Sequence, residues 1–247
     1  MRIKTVQRLI DKLRNKKNPP PPLENMPFKQ HPRRASDGNS MKFYADWVLK
    51  YTTLKPKNIF EIGANYAQDA EGLRYYFSLK EEDVWVFEAH PEICREISNL
   101  YNFHVFNNAV FNEEKNIEFN AVDISAESNT GISSLYNRVD NAKVLFKKVN
   151  IAAIRMDNFM SQNNITSVDF LKLDVEGCNW EVLDGFGSRL KDVGAIHIEA
   201  EHKEVWDKEK LFLDIRTKLE ESGFEMADFK RYGTQSDSLW VQKKYLY

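Results

Sequence analysis

The sequence predicts an α/β fold with a doubly wound, mostly parallel sheet of seven strands. Apolar segments of four to six residues alternate with segments of helical periodicity from residue 41 onwards. Successive strand–helix–strand units of this kind connect parallel strands through right-handed crossovers. The last two apolar segments, residues 224–229 and 238–241, have no helical segment between them. They therefore predict an antiparallel hairpin at one edge of the sheet.

Each element has its own local signal. Phe43, Trp47, Val48 and Tyr51 have helical spacing, and Pro56 separates that helix from the first apolar strand. Pro91 favours a helix start directly after the second strand. After the first helix, the predicted elements are a strand at 58–62, a helix at 69–77, a strand at 84–87, a helix at 91–100 and a strand at 103–106.

The second half of the chain resumes the alternation of strands and helices after an irregular segment. Residues 117–154 alternate less regularly and are interpreted as a hairpin insertion. The predicted elements that follow are a helix at 156–162, a strand at 168–173, a helix at 180–190, a strand at 195–199 and a helix at 208–222.

Composition narrows the class of protein. The 247 residues are 42% hydrophobic and 29% charged, without an apolar run near the roughly 20 residues that span a bilayer. The basic N-terminus lacks the apolar stretch and cleavage site of a secretory signal. Cys94 and Cys178 are too few for a disulfide framework, so both are expected to be reduced. We therefore expect a cytoplasmic protein, either free or at the inner face of a membrane.

Charge divides the chain into two parts, residues 1–40 and residues 41–247. The first 40 residues carry ten Lys or Arg and three Asp or Glu, which leaves a net charge of −9 on the rest. Residues 1–17 have the pattern of a basic amphipathic helix, which would either contact an anionic membrane or pack on its own domain. Residues 19–22 are all proline and end it, and the stretch to residue 40 is interpreted as a linker or arm. The acidic main domain makes a nucleic acid an unlikely partner.

The first functional signal is the segment Phe60-Glu61-Ile62-Gly63-Ala64-Asn65, at the end of the first strand. Open α/β sheets bind ligands at such a strand–helix junction. Gly63 permits close approach of the ligand and Ala64 keeps the turn slim, whereas Glu61 suits a cationic ligand better than a pyrophosphate. An ordinary tight turn remains the alternative.

The second signal is Glu88, directly after the strand at residues 84–87. A carboxylate in this position can accept hydrogen bonds from both ribose hydroxyls of an adenosine. The alternative is a solvated acid at the start of the helix at Pro91. A nicotinamide cofactor is disfavoured because Asn65 and Gln68 occupy the positions of the later glycines in Gly-x-Gly-x-x-Gly.

Two further strand ends carry acids and histidines. Asp174 and Glu176 follow the strand at 168–173, and Glu199 closes the next strand, just before His202. Charges at a strand's carboxyl end face the ligand crevice, where they can hold a hydroxyl, accept its proton or share a divalent cation. No regular ligand spacing is present, so a divalent metal is possible but not favoured.

In their order, these signals match one family. The chain resembles the FkbM family of S-adenosylmethionine-dependent methyltransferases from about residue 58 to residue 202. The matching stretches are Glu61-Ile62-Gly63-Ala64-Asn65, Phe87-Glu88-Ala89-His90-Pro91, Asn108-Ala109-Val110, Ile132-Ser133-Ser134-Leu135, Met156-Asp157, Phe170-Leu171-Lys172-Leu173-Asp174-Val175-Glu176-Gly177, and Ile198-Glu199 with His202.

The resemblance implies a class I methyltransferase fold, a Rossmann-like, doubly wound seven-strand sheet with an antiparallel C-terminal edge hairpin. It also implies S-adenosylmethionine as cofactor and methyl transfer to a hydroxyl, commonly on a sugar or a polyketide. The implied cofactor-binding residues are Glu61, Gly63, Ala64, Asn65, Glu88, Ala89, Asn108, Ala109 and Asp174. The acceptor would lie around Asp174, Glu176 and Glu199, with Ser133 and Ser134 in the pocket wall.

Two positions depart from the family pattern. The family usually has a glycine where this chain has Ala67, which leads us to expect a wider turn. It also tends to have a glutamate where this chain has Asn179, so the role of that glutamate is not carried over to this chain.

The mechanism expected from these residues is an in-line displacement in which the protein positions the reactants and removes one proton. Asp174 or His202 is the expected base, with Glu176 and Glu199 as further catalytic candidates. We expect a sugar hydroxyl of a surface glycan or its precursor as acceptor. Aromatic side chains that could stack on a sugar are Tyr136, Trp180, Trp206, Tyr232 and Trp240. The alternatives are a small natural product as acceptor, a non-catalytic nucleoside-binding scaffold in glycan assembly, and a dinucleotide-dependent oxidoreductase.

Overall fold

The computed structural model describes residues 28–33, 40–127, 129–140 and 142–247. The basic helix predicted within residues 1–17 lies outside these residues. The helices are α1 (Met41–Tyr51), α2 (Gln68–Phe77), α3 (Pro91–Leu100), α4 (Met156–Gln162), α5 (Asn179–Gly185) and α6 (Phe212–Glu221). The strands are β1 (Ile59–Ile62), β2 (Val84–Phe87), β3 (His104–Phe106), β4 (Ala109–Val110), β5 (Lys115–Val122), β6 (Phe146–Ile154), β7 (Val168–Leu173), β8 (Val193–Glu201), β9 (Phe224–Tyr232) and β10 (Gln235–Gln242).

Seven strands form the central sheet in the order β3-β2-β1-β7-β8-β10-β9. Strands β3, β2, β1, β7 and β8 pair in parallel, and β10 pairs antiparallel with both β8 and β9. This arrangement confirms the predicted doubly wound sheet and its antiparallel C-terminal hairpin. The order reverses between β1 and β7, and the carboxyl ends of these two strands open a crevice at that point.

Helices cover both faces of the sheet because both faces of its central strands are apolar. On one face, side chains of α4, α5 and α6 pack against Phe60, Leu171 and Ile196. On the other face, α1 and α2 pack against Ile59 and Phe170. Helix α2 also packs with α3 over β2. The core is therefore divided into two layers by the sheet.

The irregular segment is a second, three-stranded sheet in the order β4-β6-β5. Strands β5 and β6 pair antiparallel over eight residue pairs, which confirms the predicted hairpin. The connection between them is long, and Ser134 within it forms a bridge with Asn120 of β5. This bridge brings the middle of the connection back to the three-stranded sheet.

Two helices are shorter than predicted, for identifiable reasons. Helix α5 ends at Gly185, where a Cβ atom would lie 2.2 Å from the carbonyl oxygen of Phe111, and the chain continues as a 3-10 helix at Gly187–Asp192. Helix α6 begins at Phe212, because the Glu209 carboxylate accepts the backbone N–H groups of Val205 and Trp206 and holds that segment in a turn. The contact of Gly185 with Phe111 is long-range and that of Glu209 with Val205 and Trp206 is local, and helical periodicity revealed neither.

The described residues of the N-terminal arm pack on α2 and α3. Phe28 contacts the ring of Tyr75, and the backbone N–H of Lys29 donates to a Glu71 carboxylate oxygen at 3.2 Å. The His31 ring stacks on Tyr66 with centroids 4.1 Å apart. Across the described part of the chain, no helix is long and apolar enough to cross a bilayer.

Candidate functional site

Two adjoining cavities open at the carboxyl ends of β1, β2, β7 and β8. The first, of about 560 Å³, has mostly apolar walls and is called the apolar cavity; its lining residues include Ile62, Phe87, Glu88, Ala89, Asn108, Ala109, Val110, Phe119, Thr130, Ser133, Leu135 and Val175. The second, of about 710 Å³, is called the acidic cavity; its lining residues include Glu61, Ala64, Tyr66, Gln68, Asp69, Asn129, Lys172 and Glu199. Both cavities are lined by Gly63, Asn65, Gly131, Asp174 and Glu176.

Gly63 lies between the two cavities, where the chain leaves β1. Its φ of +75° is in the left-handed region, and a Cβ atom there would lie 1.9 Å from the carbonyl oxygen of Asp174. The backbone N–H of Asp174 donates to the Ile62 carbonyl at 3.0 Å. Only glycine allows the loops after β1 and β7 to approach this closely.

The turn after Gly63 is tight. The backbone N–H of Ala67 donates to the Ala64 carbonyl at 2.7 Å, and Asn65 and Ala67 have φ values of +48° and +56°. The wider turn expected from the alanine is therefore wrong, because Ala67 itself adopts the conformation that glycine favours.

Glu88 is the buried carboxylate of the apolar cavity, with 6% of its surface exposed. The backbone N–H of Asn65 donates to its Oε2 at 2.6 Å, and that of His90 donates to its Oε1 at 2.7 Å. Burial raises the pKa of Glu88 to about 7, against the lowering effect of these two hydrogen bonds. Each carboxylate oxygen has a second lone pair, so two further donors can bind here.

The other residues assigned to the cofactor divide between the cavities. Ala89, Asn108 and Ala109 line the apolar cavity, and the Asn108 side-chain amide donates to the Ala152 carbonyl at 3.1 Å. Glu61 and Ala64 line the acidic cavity.

Glu61 is almost fully buried, and its Oε2 accepts the backbone N–H of Ala70 at 3.0 Å. Burial and the neighbouring Asp69 carboxylate raise its pKa well above the usual range. Glu61 therefore ties β1 to the first turn of α2 in addition to lining the acidic cavity.

Lys172 is a functional candidate that our interpretation of the sequence missed. Its side chain is 5% exposed and lines the acidic cavity, with Nζ 3.0 Å from Asp174 Oδ2 and 3.7 Å from Asp69 Oδ2. The signal was present in the sequence, because a lysine between two leucines in a buried strand needs a partner.

Three predicted acids meet in the acidic cavity. Carboxylate oxygens of Asp174, Glu176 and Glu199 lie within 4.8 Å of one another, close enough to share a hard cation. Glu199 accepts hydrogen bonds from the Tyr232 hydroxyl and from the Gln235 amide, the latter at 2.7 Å. Burial and the Asp174 carboxylate raise the pKa of Glu199 to about 8.

Glu176 is held from two directions. Its Oε2 accepts the indole N–H of Trp206 at 3.2 Å, and its backbone carbonyl accepts the Ser134 hydroxyl at 2.6 Å. Burial, followed by the Asp174 and Glu199 carboxylates, raises the pKa of Glu176 well above its usual range. Such a carboxyl can act as a hydrogen-bond donor to a hydroxyl oxygen.

Asn179, which replaces the family's glutamate, has a structural contact. Its side-chain amide donates to the backbone carbonyl of Glu199 at 2.8 Å, and its Oδ1 accepts the N–H of Val175 at 3.4 Å. It therefore connects the loop after β7 to β8.

His202 lies apart from these acids. Its ring packs against Phe212 of α6, with centroids 4.8 Å apart, and its Nε2 is 2.9 Å from the Ser236 hydroxyl oxygen. Phe212 belongs to the core on the α4–α6 face, whereas His197 and Glu199 point to the α1 face. The structure does not bring His202 together with Asp174.

The two serines have different positions. Ser133 lines the apolar cavity and its hydroxyl oxygen accepts the N–H of Val122 at 3.0 Å, whereas Ser134 is buried and bonded to the Glu176 backbone. The same connection places Thr130 and Gly131 over the site, and the Thr130 hydroxyl donates to Asn65 Oδ1 at 3.1 Å. Sequence reasoning missed both, although an Asn-Thr-Gly segment is typical of a tight loop.

The predicted stacking residues require a correction. Trp206 and Trp240 are 0% exposed and cannot receive a sugar ring. Trp180 packs under the Lys218 ammonium, with Nζ 4.5 Å from the ring centroid. Tyr232 is exposed and reaches the acidic cluster through its bond to Glu199. Large aromatic rings at these positions mainly fill the core.

Comparison with known proteins identifies a family for this chain. Residues 61–226 match the family model described as the methyltransferase FkbM domain. The chain is similar to the crystal structure of methyltransferase FkbM from Methylobacillus flagellatus KT, with 14% identity and a TM-score of 0.49 over 85% of this chain and 56% of that one. Our chain therefore spans little more than half the length of that protein.

Further similarities have lower scores. Magnesium protoporphyrin IX methyltransferase from Synechocystis PCC 6803, solved with bound SAM, is 12% identical, with a TM-score of 0.43 over 83% of this chain and 79% of that one. A SAM-dependent methyltransferase from Aquifex aeolicus is 12% identical, with a TM-score of 0.38 over 83% and 89%. The comparison with curated proteins gave no significant match.

Proposed function

Because the chain belongs to the family defined by the FkbM methyltransferase domain, we propose that it is an S-adenosylmethionine-dependent O-methyltransferase. The proposed acceptor is a sugar hydroxyl of a surface glycan or its precursor. The observation that carries the proposal is the connection of an apolar cavity containing Glu88 to an acidic cavity containing Asp174, past the turn at Gly63.

The apolar cavity fits the nucleoside part of this cofactor. Its walls include Phe119, Val110 and Leu135, which suit an adenine ring. The free lone pairs of Glu88 suit two ribose hydroxyls. Gly63 has no side chain, so the cofactor can approach its backbone closely. The carboxylates beyond Gly63 suit the cofactor's positive charges.

The residues of the acidic cavity would carry the proton transfer. When bound, S-adenosylmethionine supplies a methyl group on a positively charged sulfur. Asp174 lines both cavities, so its carboxylate can accept the proton that the acceptor hydroxyl loses. Glu176 and Glu199, whose raised pKa values favour protonated forms, can donate hydrogen bonds that orient the acceptor. The remaining work is positioning.

The lining of the acidic cavity supports a polyhydroxylated acceptor. Carboxylate, amide and ammonium groups predominate there, and the exposed Tyr232 has an aromatic ring beside them, with its hydroxyl bonded to Glu199. Sugars present many hydroxyl groups to such polar walls and an apolar ring face to an aromatic side chain. A small polar natural product would meet the same groups.

The first test is calorimetry with S-adenosylhomocysteine, where we expect binding. The second is transfer of a labelled methyl group to a panel of sugars, lipid-linked sugars and small natural products, with and without EDTA. We expect transfer to a sugar that persists in EDTA. Binding without transfer to any acceptor would favour a non-catalytic scaffold, and lack of binding would refute the proposal.

Two matched variants test the base. We expect D174N to lower kcat by roughly 10²-fold or more, the usual contribution of a positioned base, and H202Q to leave kcat nearly unchanged. A large loss of kcat in H202Q, with kcat nearly unchanged in D174N, would show that His202 and not Asp174 is the base.

A further inference from the structure

Lys172 lies in an unusual place for a lysine. It is the last residue but one of β7, and its neighbours Leu171 and Leu173 belong to the apolar core on the α4–α6 face. Its own side chain points to the other face and is 5% exposed. Burying an ammonium group is costly unless carboxylates compensate it, so the arrangement around it must supply them.

The strand register supplies two of the facing groups. Glu61 on β1, Lys172 on β7 and His197 on β8 are direct neighbours across the sheet. His197 is almost fully buried and neutral, because burial and then the Lys172 charge lower its pKa well below its usual value.

The remaining facing groups are acids. Asp69 of α2 and Asp174 lie within 4.0 Å of the ammonium. The Lys172 charge also partly offsets the raised pKa values of Glu199 and Asp237. Burial alone would lower the pKa of Lys172, but the carboxylates of Asp174, Asp69 and Glu61 together raise it. Lys172 is therefore charged, and its shortest contact is the hydrogen bond of 3.0 Å to Asp174 Oδ2.

We propose that Lys172 is a positioning residue that holds the Asp174 carboxylate in the wall shared by the two cavities. The proposal rests on the proposed function, in which that carboxylate contacts the cofactor and receives the acceptor's proton. Lys172 itself acts through Asp174.

Asp174 needs such a restraint because of its other neighbours. Carboxyl oxygens of Glu176 and Glu199 lie within 4.8 Å of its carboxylate, and in their protonated forms these two acids can donate hydrogen bonds that compete with Lys172 for the Asp174 oxygens. The backbone of Asp174 is fixed by its hydrogen bond to Ile62, but the side chain can still rotate about two bonds. The ammonium on one side and the acids on the other leave one favourable orientation.

A purely structural role makes a different prediction. If Lys172 only compensated buried acids such as Glu61, its removal would weaken the protein whatever residue stood at 174. If it acts through Asp174, its effect on ligand binding must disappear once Asp174 has lost its charge. A double-mutant cycle separates the two cases.

The experiment measures S-adenosylhomocysteine affinity by calorimetry in the wild type, K172M, D174N and the double variant. We expect K172M and D174N each to weaken binding roughly tenfold, and the double variant to bind like D174N. K172R should recover affinity to within about threefold, since it retains a charge that reaches a carboxylate. K148M, which removes an exposed lysine of β6, is the control and should bind like the wild type. Thermal melts establish that each variant is folded.

Four outcomes would overturn the proposal. Wild-type affinity in K172M means that Asp174 does not need Lys172, and an additional tenfold loss in the double variant means that Lys172 acts independently of Asp174. If K172M does not fold, the cycle is run with K172R, and a tenfold loss that persists beside D174N overturns the proposal in the same way. A wild type that does not bind the ligand refutes the proposed function, and this inference with it.

Discussion

Gly63 matters for both the fold and the site because it has no side chain. In G63A the new Cβ atom would overlap the backbone oxygen of Asp174, in addition to the cost of a left-handed alanine. We expect the free energy of unfolding to fall by about 3 kcal/mol or more, and S-adenosylhomocysteine binding to be lost. Denaturant titration and calorimetry measure the two effects.

Gly233 offers a matched control. Its φ is +58°, also left-handed, but a Cβ atom there meets no atom within 4 Å. G233A should therefore lower the free energy of unfolding by only about 1 kcal/mol and leave ligand binding intact. Equal effects of the two substitutions would show that backbone conformation, not the contact with Asp174, makes glycine necessary at 63.

Glu88 predicts a pH dependence of ligand binding. Its pKa is raised to about 7 by burial, and only the ionised form can accept hydrogen bonds from two ribose hydroxyls with both oxygens. Affinity for S-adenosylhomocysteine should therefore rise with pH from 6 to about 7 and then level off. Calorimetry at pH 6, 7 and 8 measures this, and E88Q should bind about tenfold more weakly at pH 8, without the pH dependence. E92Q, at an exposed position of α3, is the control. The same affinity at all three pH values would contradict this role of Glu88.

Some individual residues could be predicted and others could not. Glu88 and Asp174 follow directly from their positions at strand ends, which local sequence reveals. Thr130 and Gly131 reach the site through the bridge between Ser134 and Asn120, and no local pattern encodes that bridge. The placement of His202 on the opposite face likewise depends on packing against α6.

The N-terminal arm is an element whose described part packs beside the acidic cavity. His31 stacks on Tyr66, which lines that cavity, and its Nε2 lies 3.0 Å from a Glu96 carboxylate oxygen. Ring stacking of this kind contributes on the order of 1 kcal/mol. The arm therefore supports the wall of the site through one ring.

This contact gives an element-level prediction. H31A should lower the free energy of unfolding by about 1 kcal/mol, because the stack and the hydrogen bond to Glu96 are lost. H31F should retain most of the stability, since it keeps an aromatic ring. Denaturant titration measures both, and an H31A variant as stable as the wild type would show that the arm contributes nothing through this ring.

Across the sheet, buried carboxyl groups couple stability to pH. Burial raises the pKa of Glu199 to about 8 and that of Glu201 to about 7. A raised pKa in the folded state means that the stabilisation is complete at pH values below the ordinary pKa of 4.5 and is lost as the pH rises through the folded value. Buried His197 has the opposite effect, but its contribution is complete above its ordinary pKa of 6.5. Between pH 6.5 and 8, the carboxyl groups therefore dominate.

We expect the free energy of unfolding of the ligand-free protein to fall between pH 6.5 and 8. Each titrating carboxyl contributes at most about 1.4 kcal/mol per pH unit. E199Q should flatten this slope, whereas E225Q, at an exposed position of β9, should not. Urea titrations at three pH values measure the slope, and a stability that rises over this range would contradict the assignment of buried, protonated acids.

The sequence determines the class of fold, the order of most elements and the strand ends that carry Gly63, Glu88 and Asp174. These features are predictable because periodicity, turn residues and strand termini are properties of neighbouring residues. Tertiary packing decides the rest: the pairing of Lys172 with Asp69 of α2, the loop at Thr130 and Gly131, the burial of Trp206, and the early end of α5 at Gly185. Each of these depends on a contact between residues that are distant in the chain or on competition for space in the core, and local patterns contain neither.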